Sequence, residues 1–193
     1  MLRLALTFDD GPSEENTIEL LNVLDKHKVK ATFFMIGKFV RKNPDIARLV
    51  SRKGHWIGNH TVNHPKLTES TPQNLDFEIS HCKEILQDVV GDHSNMFRPP
   101  FLMYSAEVGD AVRAHGLRTI WKDASGGDAM QLGANVIVNK VRDELALGSG
   151  VILLHDGCHD DDRASRAHTI KAVDILVTKY KSEEVQFISP LEF

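Results

Sequence analysis

Apolar positions along this chain follow two rhythms that alternate from one end to the other. Compact apolar runs at Leu2–Phe8, Lys30–Ile36, Trp56–Gly58, Asn95–Phe97, Arg118–Trp121, Val151–Leu154 and Gln186–Ile188 have the length and composition of buried strands. Between them apolar residues return every third or fourth position, the spacing of one helix face. Ile18, Leu21 and Leu24 make one such stripe, Ile137, Val138, Val141 and Leu145 another, and Ile170, Val173, Leu176 and Val177 a third. Start and stop signals agree with this. Asn43-Pro44, ahead of Ile46, Leu49 and Val50, and Thr71-Pro72 each pair a capping residue with Pro at the first helical position. Val108, Ala111 and Val112 precede His115-Gly116, a C-terminal stop. The alternation predicts an α/β fold of βα units around a parallel sheet. No repeat, low-complexity tract or linker breaks it, so residues 1–193 read as one domain.

Composition narrows the function classes. The 193 residues, 41% hydrophobic and 26% charged, are ordinary for a globular chain with room for a substantial core. A net charge of -4 with dispersed Lys and Arg argues against nucleic acid as the main partner, because phosphate binding needs clustered cations. No apolar stretch is long enough to span a bilayer. The opening run lacks the h-region and cleavage site of a signal peptide, and its end carries candidate chemistry. Localisation stays open: cytoplasmic for the chain as it stands, extracellular if a leader has been removed. A monomer is expected. Cys82, in phase with Leu75, Ile79, Leu86 and Val89, should pack as a small hydrophobe, and Cys158, without a spaced partner, reads as an inert thiol in a loop.

The polar residues of interest gather where the apolar runs end. Asp9-Asp10 close the first run and lead into Gly11-Pro12. Adjacent carboxylates at a strand end can divide metal chemistry between them, one binding a cation and the other moving protons. Asp, Gly and Pro are equally the residues of a plain turn. His60-Thr61-Val62-Asn63-His64 changes the balance, since imidazoles four residues apart share a face if the segment turns helically. Two His and one carboxylate leave coordination positions open, as catalytic sites do, and suit zinc, cobalt, nickel or iron. Arg98, Asp123 and His155 also stand at or after strand ends. In a parallel barrel all these ends open on one face, so the residues would converge. The other histidines, His27, His55, His81, His93, His115, His159 and His168, read as surface or helix-end residues, and Asp160-Asp161-Asp162 as a solvated loop.

Four segments taken in order, Thr7-Phe8-Asp9-Asp10-Gly11-Pro12, His60-Thr61-Val62-Asn63-His64, Arg98-Pro99-Pro100 and Leu153-Leu154-His155, resemble the motifs of polysaccharide deacetylases, the NodB-homology group of carbohydrate esterase family 4. The resemblance runs from Leu4 to the last strand. It implies a distorted (β/α) barrel of about seven parallel strands, one divalent metal ion, usually zinc, and removal of N-acetyl or O-acetyl groups from an oligo- or polysaccharide. By position, Asp10, His60 and His64 would hold the metal, Asp9 would be the general base, Arg98 its charge partner and His155 the general acid. A backbone N–H near Phe101 would help to hold the oxyanion.

Two departures from the family pattern bear on substrate and rate. Phe101-Leu102 stands where relatives have Tyr-Gly, and the Asp-Trp motif after the fifth strand is irregular: Trp121-Lys122-Asp123 and Asp128-Ala129 each match part of it. Asp123 is taken as the partner that tunes His155. Phe101, Leu102 and Trp121 are taken as the apolar lining of a sugar groove, because sugar rings offer apolar faces to aromatic side chains. A deacetylase acting on chitooligosaccharide or peptidoglycan-type glycan is the leading reading. An acetylxylan-type esterase, or a carbohydrate-binding barrel that has lost turnover, is the alternative.

Overall fold

The computed structural model describes residues 2–91, 93–146, 148–161, 163–181 and 185–193. Its sheet contains eight strands, all parallel: β1 (Arg3–Asp9), β2 (Thr32–Met35), β3 (Trp56–Asn59), β4 (Met96–Phe97), β5 (Arg118–Thr119), β6 (Ala124–Ser125), β7 (Gly150–His155) and β8 (Gln186–Phe187). The order is β5-β4-β3-β2-β1-β7-β6, and β8 pairs with the first residues of β1. The two ends of this path, β5 and β6, do not pair, so the barrel curls without closing. All seven expected strands are present. The eighth, β6, escaped prediction because two residues, Ala124 and Ser125, make no apolar run.

Around the sheet lie α1 (Asn16–His27), α2 (Gly37–Lys42), α3 (Pro44–Arg52), α4 (Pro72–Val90), α5 (Ala106–Ala114), α6 (Ala134–Leu145) and α7 (Ala167–Lys181). Thr71 caps α4 as expected, its side chain accepting from Asn74 N. Asn43 does not cap α3; its amide donates instead to Pro12 O at 3.0 Å, tying α3 to the loop after β1. In α1 the buried face is Leu20, Leu21 and Leu24, while Ile18 is exposed, so the expected stripe is shifted by part of a turn. Among the described residues no helix is long and apolar enough to cross a membrane.

Strand alternation sorts the core into two layers. On β1, Leu4, Leu6 and Phe8 face the helices and join Leu20, Leu24, Phe33, Ile152, Leu154, Val173 and Leu176 in the main core. Ala5 faces the barrel interior, packed with Phe34, Met96, Ile120 and Val151. Each fully buried Leu or Phe contributes about 1.5–3 kcal/mol, so the outer layer anchors the frame on which the inward-facing polar residues are held. Cys82 lies in that layer, and burial pushes its thiol pKa up to about 12, which makes it inert.

Candidate active site

The alternation that buries Leu6 and Phe8 turns Thr7 and Asp9 inward. Asp10 then leaves the strand with φ 73°, in the left-handed region, so two adjacent carboxylates point to different tasks. Asp10 Oδ1 lies 3.4 Å from His60 Nε2 and 3.3 Å from His64 Nε2. That oxygen is buried and has no hydrogen-bond partner. His60 Nδ1 donates to Arg98 O at 2.7 Å, which leaves the Nε2 lone pair directed at Asp10. Burial pushes the His64 pKa down to about 3, so that ring is neutral and able to ligate. Burial would raise the Asp10 carboxyl, but the adjacent His159 and His60 outweigh it and hold it well below the usual carboxylate range. An orphaned carboxylate oxygen facing the Nε2 atoms of two imidazoles is a donor set that fits one divalent cation.

The two imidazoles do not meet across a helical turn. The segment after β3 is a loop in which Thr61 (φ 67°) and His64 (φ 64°) take the left-handed conformation. Its shape is imposed from α4: Glu78, buried, accepts from Val62 N (2.9 Å), Asn63 N (2.8 Å) and Asn63 Nδ2 (2.7 Å). Asn59 Oδ1 takes Thr61 N, and Thr61 Oγ1 takes His64 N. Left-handed residues cost of order 1–3 kcal/mol each, and these bonds offset that cost.

Arg98, fully buried, lies inside the barrel over the Phe34 ring, 4.2 Å from its centroid. Its Nη1 donates to Asp9 Oδ1 (2.8 Å) and Thr7 Oγ1 (2.7 Å), and its Nε to Ile120 O (3.2 Å). Asp9 is thereby held by one oxygen, with Oδ2 3.9 Å from His60 Nε2. The ladder between β1 and β7 sets Asp9 opposite His155. Both border the cavity that Asp10, His60 and His64 line.

Asp128, not Asp123, holds His155. Its Oδ1 lies 2.9 Å from His155 Nδ1, and its Oδ2 accepts from His155 N and from Thr169 Oγ1, both at 2.8 Å. Burial works against the imidazolium, but the Asp128 bond and charge, with Asp9 and Asp10 beyond, push the His155 pKa up to about 9. Asp123 precedes β6, and its Oδ2 accepts from Val151 N at the start of β7. Four residues along a strand at roughly 3.3 Å each separate that point from His155. With β6 unrecognised, Asp123 looked like a strand-end residue; once β6 is in place, the strand-end carboxylate is Asp128.

The cavity, about 440 Å³, is lined by Asp9, Asp10, His60, His64, Phe101 and His155 among others, and Leu102 and Lys122 border it. Trp121 is not part of the lining; it packs edge-on against Tyr104. His159 does not lie apart on the surface. It stacks on His64 at 4.3 Å, meets Phe101 edge-on at 5.2 Å, and has Nδ1 3.8 Å from Asp10 Oδ2. His55, read as a surface residue, is buried against Phe33 and accepts from Ala31 N. Of the acidic run, Asp160 borders the cavity and Asp162 lies outside the described residues. Cys158 also borders it, its thiol donating to Asp160 Oδ1.

Three buried polar groups hold the loops around this cavity and carry no motif that sequence reading would single out. Arg166 donates to Gly157 O (2.7 Å) and Asp128 O (3.3 Å), joining the loop after β7 to the segment after β6. Asn16 Oδ1 accepts from Arg166 N, and its Nδ2 donates to Ala164 O. Asp156, whose pKa burial raises to about 7, accepts from Thr17 Oγ1 at 2.6 Å. The loops after β1 and β7 touch because residue 157 is glycine: a Cβ there would lie 2.2 Å from Asp10 O.

An open parallel barrel with two imidazoles and paired acids at the carboxyl ends of its strands defines a hydrolase-like site of the kind that acts on carbonyl groups. The polysaccharide deacetylase profile matches residues 3–120, and the chain belongs to that family. It is 34% identical over 179 residues to a chitooligosaccharide deacetylase of Azorhizobium caulinodans, covering 89% of this chain and 85% of the relative. It is 33% identical over 191 residues to a peptidoglycan-N-acetylglucosamine deacetylase of Bacillus cereus, covering 98% and 86%. Among solved structures, a family 4 carbohydrate esterase from Streptomyces lividans in complex with acetate superposes with a TM-score of 0.87 at 30% identity, covering 98% of this chain and 94% of that one.

Proposed function

We propose that this chain hydrolyses acetamido groups on N-acetylglucosamine units of a chitooligosaccharide or peptidoglycan-type glycan, with one divalent ion, zinc in the first instance, at Asp10, His60 and His64. The observation that carries this is the convergence of Asp9 and His155 on the cavity that this triad lines, each fixed by a buried partner of opposite charge. A bound divalent ion would supply Lewis acidity toward the acetyl carbonyl and toward water. Asp9, aimed by Arg98 and left with Oδ2 on the triad side, takes the proton of the attacking water. His155 is kept protonated by Asp128 and presents Nε2 to the leaving nitrogen. An amine leaves badly without a proton, so this is the acid the reaction needs. The backbone at Phe101, turned at φ 56°, borders the cavity where an oxyanion donor is required.

The test is acetate release from a panel of N-acetylglucosamine oligomers, peptidoglycan fragments and acetylated xylan, with chelator and with zinc restored. Release from the first two, abolished by chelator and restored by zinc, is expected. Release from acetylated xylan alone would replace amide with ester chemistry, and no release from any would leave only a sugar-binding barrel.

A further inference from the structure

The loop that follows β7 carries three donors in a row, Cys158, His159 and Asp160, and none of them has a part in the hydrolysis above. A sulfur, an imidazole nitrogen and a carboxylate oxygen from these residues lie within 4.8 Å of one another, and all three residues border the cavity. Neighbouring residues point to opposite faces of a strand and to different sides of a helix, so only a bent loop can turn three of them toward one point. The bend is held from outside the cluster: Arg166 Nε donates to Gly157 O (2.7 Å), Lys38 Nζ donates to His159 O (2.8 Å), and the His159 ring stacks on His64. Cys158 lacks a spaced partner in the sequence, yet in the fold its thiol meets Asp160 Oδ1 at 2.9 Å. Asp10 adjoins both donor sets. Its Oδ1 faces His60 and His64, and its Oδ2 lies 3.8 Å from His159 Nδ1.

We infer that Cys158, His159 and Asp160 form a second divalent-metal site, separate from Asp10, His60 and His64 and open to the same cavity. A thiolate and a carboxylate together offset the charge of a divalent ion, and a neutral imidazole adds the third donor. On binding, the ion takes the place of the proton that the Cys158 thiol lends to Asp160, and that proton passes to solvent. Sulfur and nitrogen donors select zinc or cobalt over magnesium or calcium, which prefer oxygen. Three protein donors leave a coordination position for water, as in an accessible site rather than a closed structural one. The inference stands on the donor set, whatever reaction the cavity performs.

The experiment titrates the reduced full chain with cobalt(II), because a thiolate on cobalt adds a near-ultraviolet charge-transfer band that nitrogen and oxygen donors do not. Binding of about two equivalents is expected, one of them with the sulfur band. Cys82, the chain's other thiol, is buried in the core, so the band belongs to Cys158. Cys158→Ser should lose the band and keep the other equivalent, whereas His60→Ala should keep the band and lose the other equivalent. Asp160→Ala should raise the cobalt concentration needed for the band by about tenfold or more, since even a group one step removed from a metal is worth that. His159 is left in place because it also packs on His64. Alkylation of Cys158 in the folded wild-type chain should match Cys158→Ser and guards against a variant that fails to fold. No band at any cobalt concentration overturns the second site, as does a band that survives Cys158→Ser. So does a band lost from folded His60→Ala protein, which would put the thiolate on the ion of the first triad. A wild-type chain that binds only one equivalent, with a sulfur band that persists in His60→Ala, upholds this site and removes the first.

Discussion

The floor of the cavity and its rim are built on different terms. On the floor, Asp9 is paired with Arg98 and His155 with Asp128, and Asp9, Arg98 and Asp128 are buried. At the rim, Phe101 and His159 meet through ring contacts, Phe101 about half-exposed and His159 about one-third exposed. A buried charge that loses its partner costs about 3–5 kcal/mol, whereas an aromatic pair is worth about 0.5–1.5 kcal/mol beyond its area. The floor can therefore tolerate almost no change without losing chemistry, while the rim can vary and set which glycan is taken.

The sharpest way to break that comparison is at Asp9 and Asp10. Asp9→Asn should retain metal and fold but lose ~10²- to 10⁴-fold in rate, the usual worth of a general base. Asp10→Asn should weaken metal binding as well. Elemental analysis beside single-turnover rates separates them, and an Asp9→Asn protein that loses metal while Asp10→Asn keeps it would reverse the two roles.

Asp128 tests whether the floor sets the acid. The His155 pKa is raised from 6.5 to about 9 in the fold, so its contribution to stability is fully present below pH 6.5 and lost as the pH rises through about 9. Asp128→Asn removes the main upward influence and leaves burial, which acts downward. The basic limb of the pH–rate profile should shift by about one to two pH units toward acid, with stability falling less at high pH than in the wild type. An unmoved limb would assign the acid elsewhere.

Most of the floor was legible because its chemistry needs particular residues at strand ends. Asp9, Asp10, His60, His64, Arg98 and His155 all converge where the order of strands puts them. Asp128 was misread for a physical reason: β6 is two residues long and is defined by its ladder to Ile152 and Leu153 rather than by any apolar run of its own. Glu78 and Arg166 left no local trace, since a charge in a helix or loop looks solvated until the fold buries it. His159 was passed over because its partner, His64, is 95 positions away and the contact is a ring stack. Seven of the eight strands and most helix faces follow from local periodicity; these supporting contacts follow from long-range packing, which periodicity does not encode.

Glu78 sharpens the comparison from outside the cavity. It touches no ligand atom, yet the three hydrogen bonds it accepts fix the loop that carries His60 and His64. Glu78→Ala should lower metal affinity by about 10–100-fold, the usual effect of removing support behind ligands. Glu78→Gln keeps one acceptor oxygen and should recover part of that loss. A Glu78→Ala protein with wild-type affinity for zinc by competitive titration would show that the loop holds its own shape.

The smallest expected effect is at His159, where rim and floor touch. Its ring stacks on His64 and its Nδ1 approaches Asp10, so it contacts two of the three donor residues while remaining partly exposed. If the rim only steers substrate, His159→Ala costs little more than one ring contact. On the scale of 0.5–1.5 kcal/mol, metal affinity should then fall by about 2- to 10-fold. His159→Phe keeps the stack and removes the nitrogen, so it should bind metal nearly as well as the wild type. A loss in His159→Phe as large as in Glu78→Ala would mean that the imidazole nitrogen itself supports the ion, and the line between floor and rim would have to be redrawn to include it.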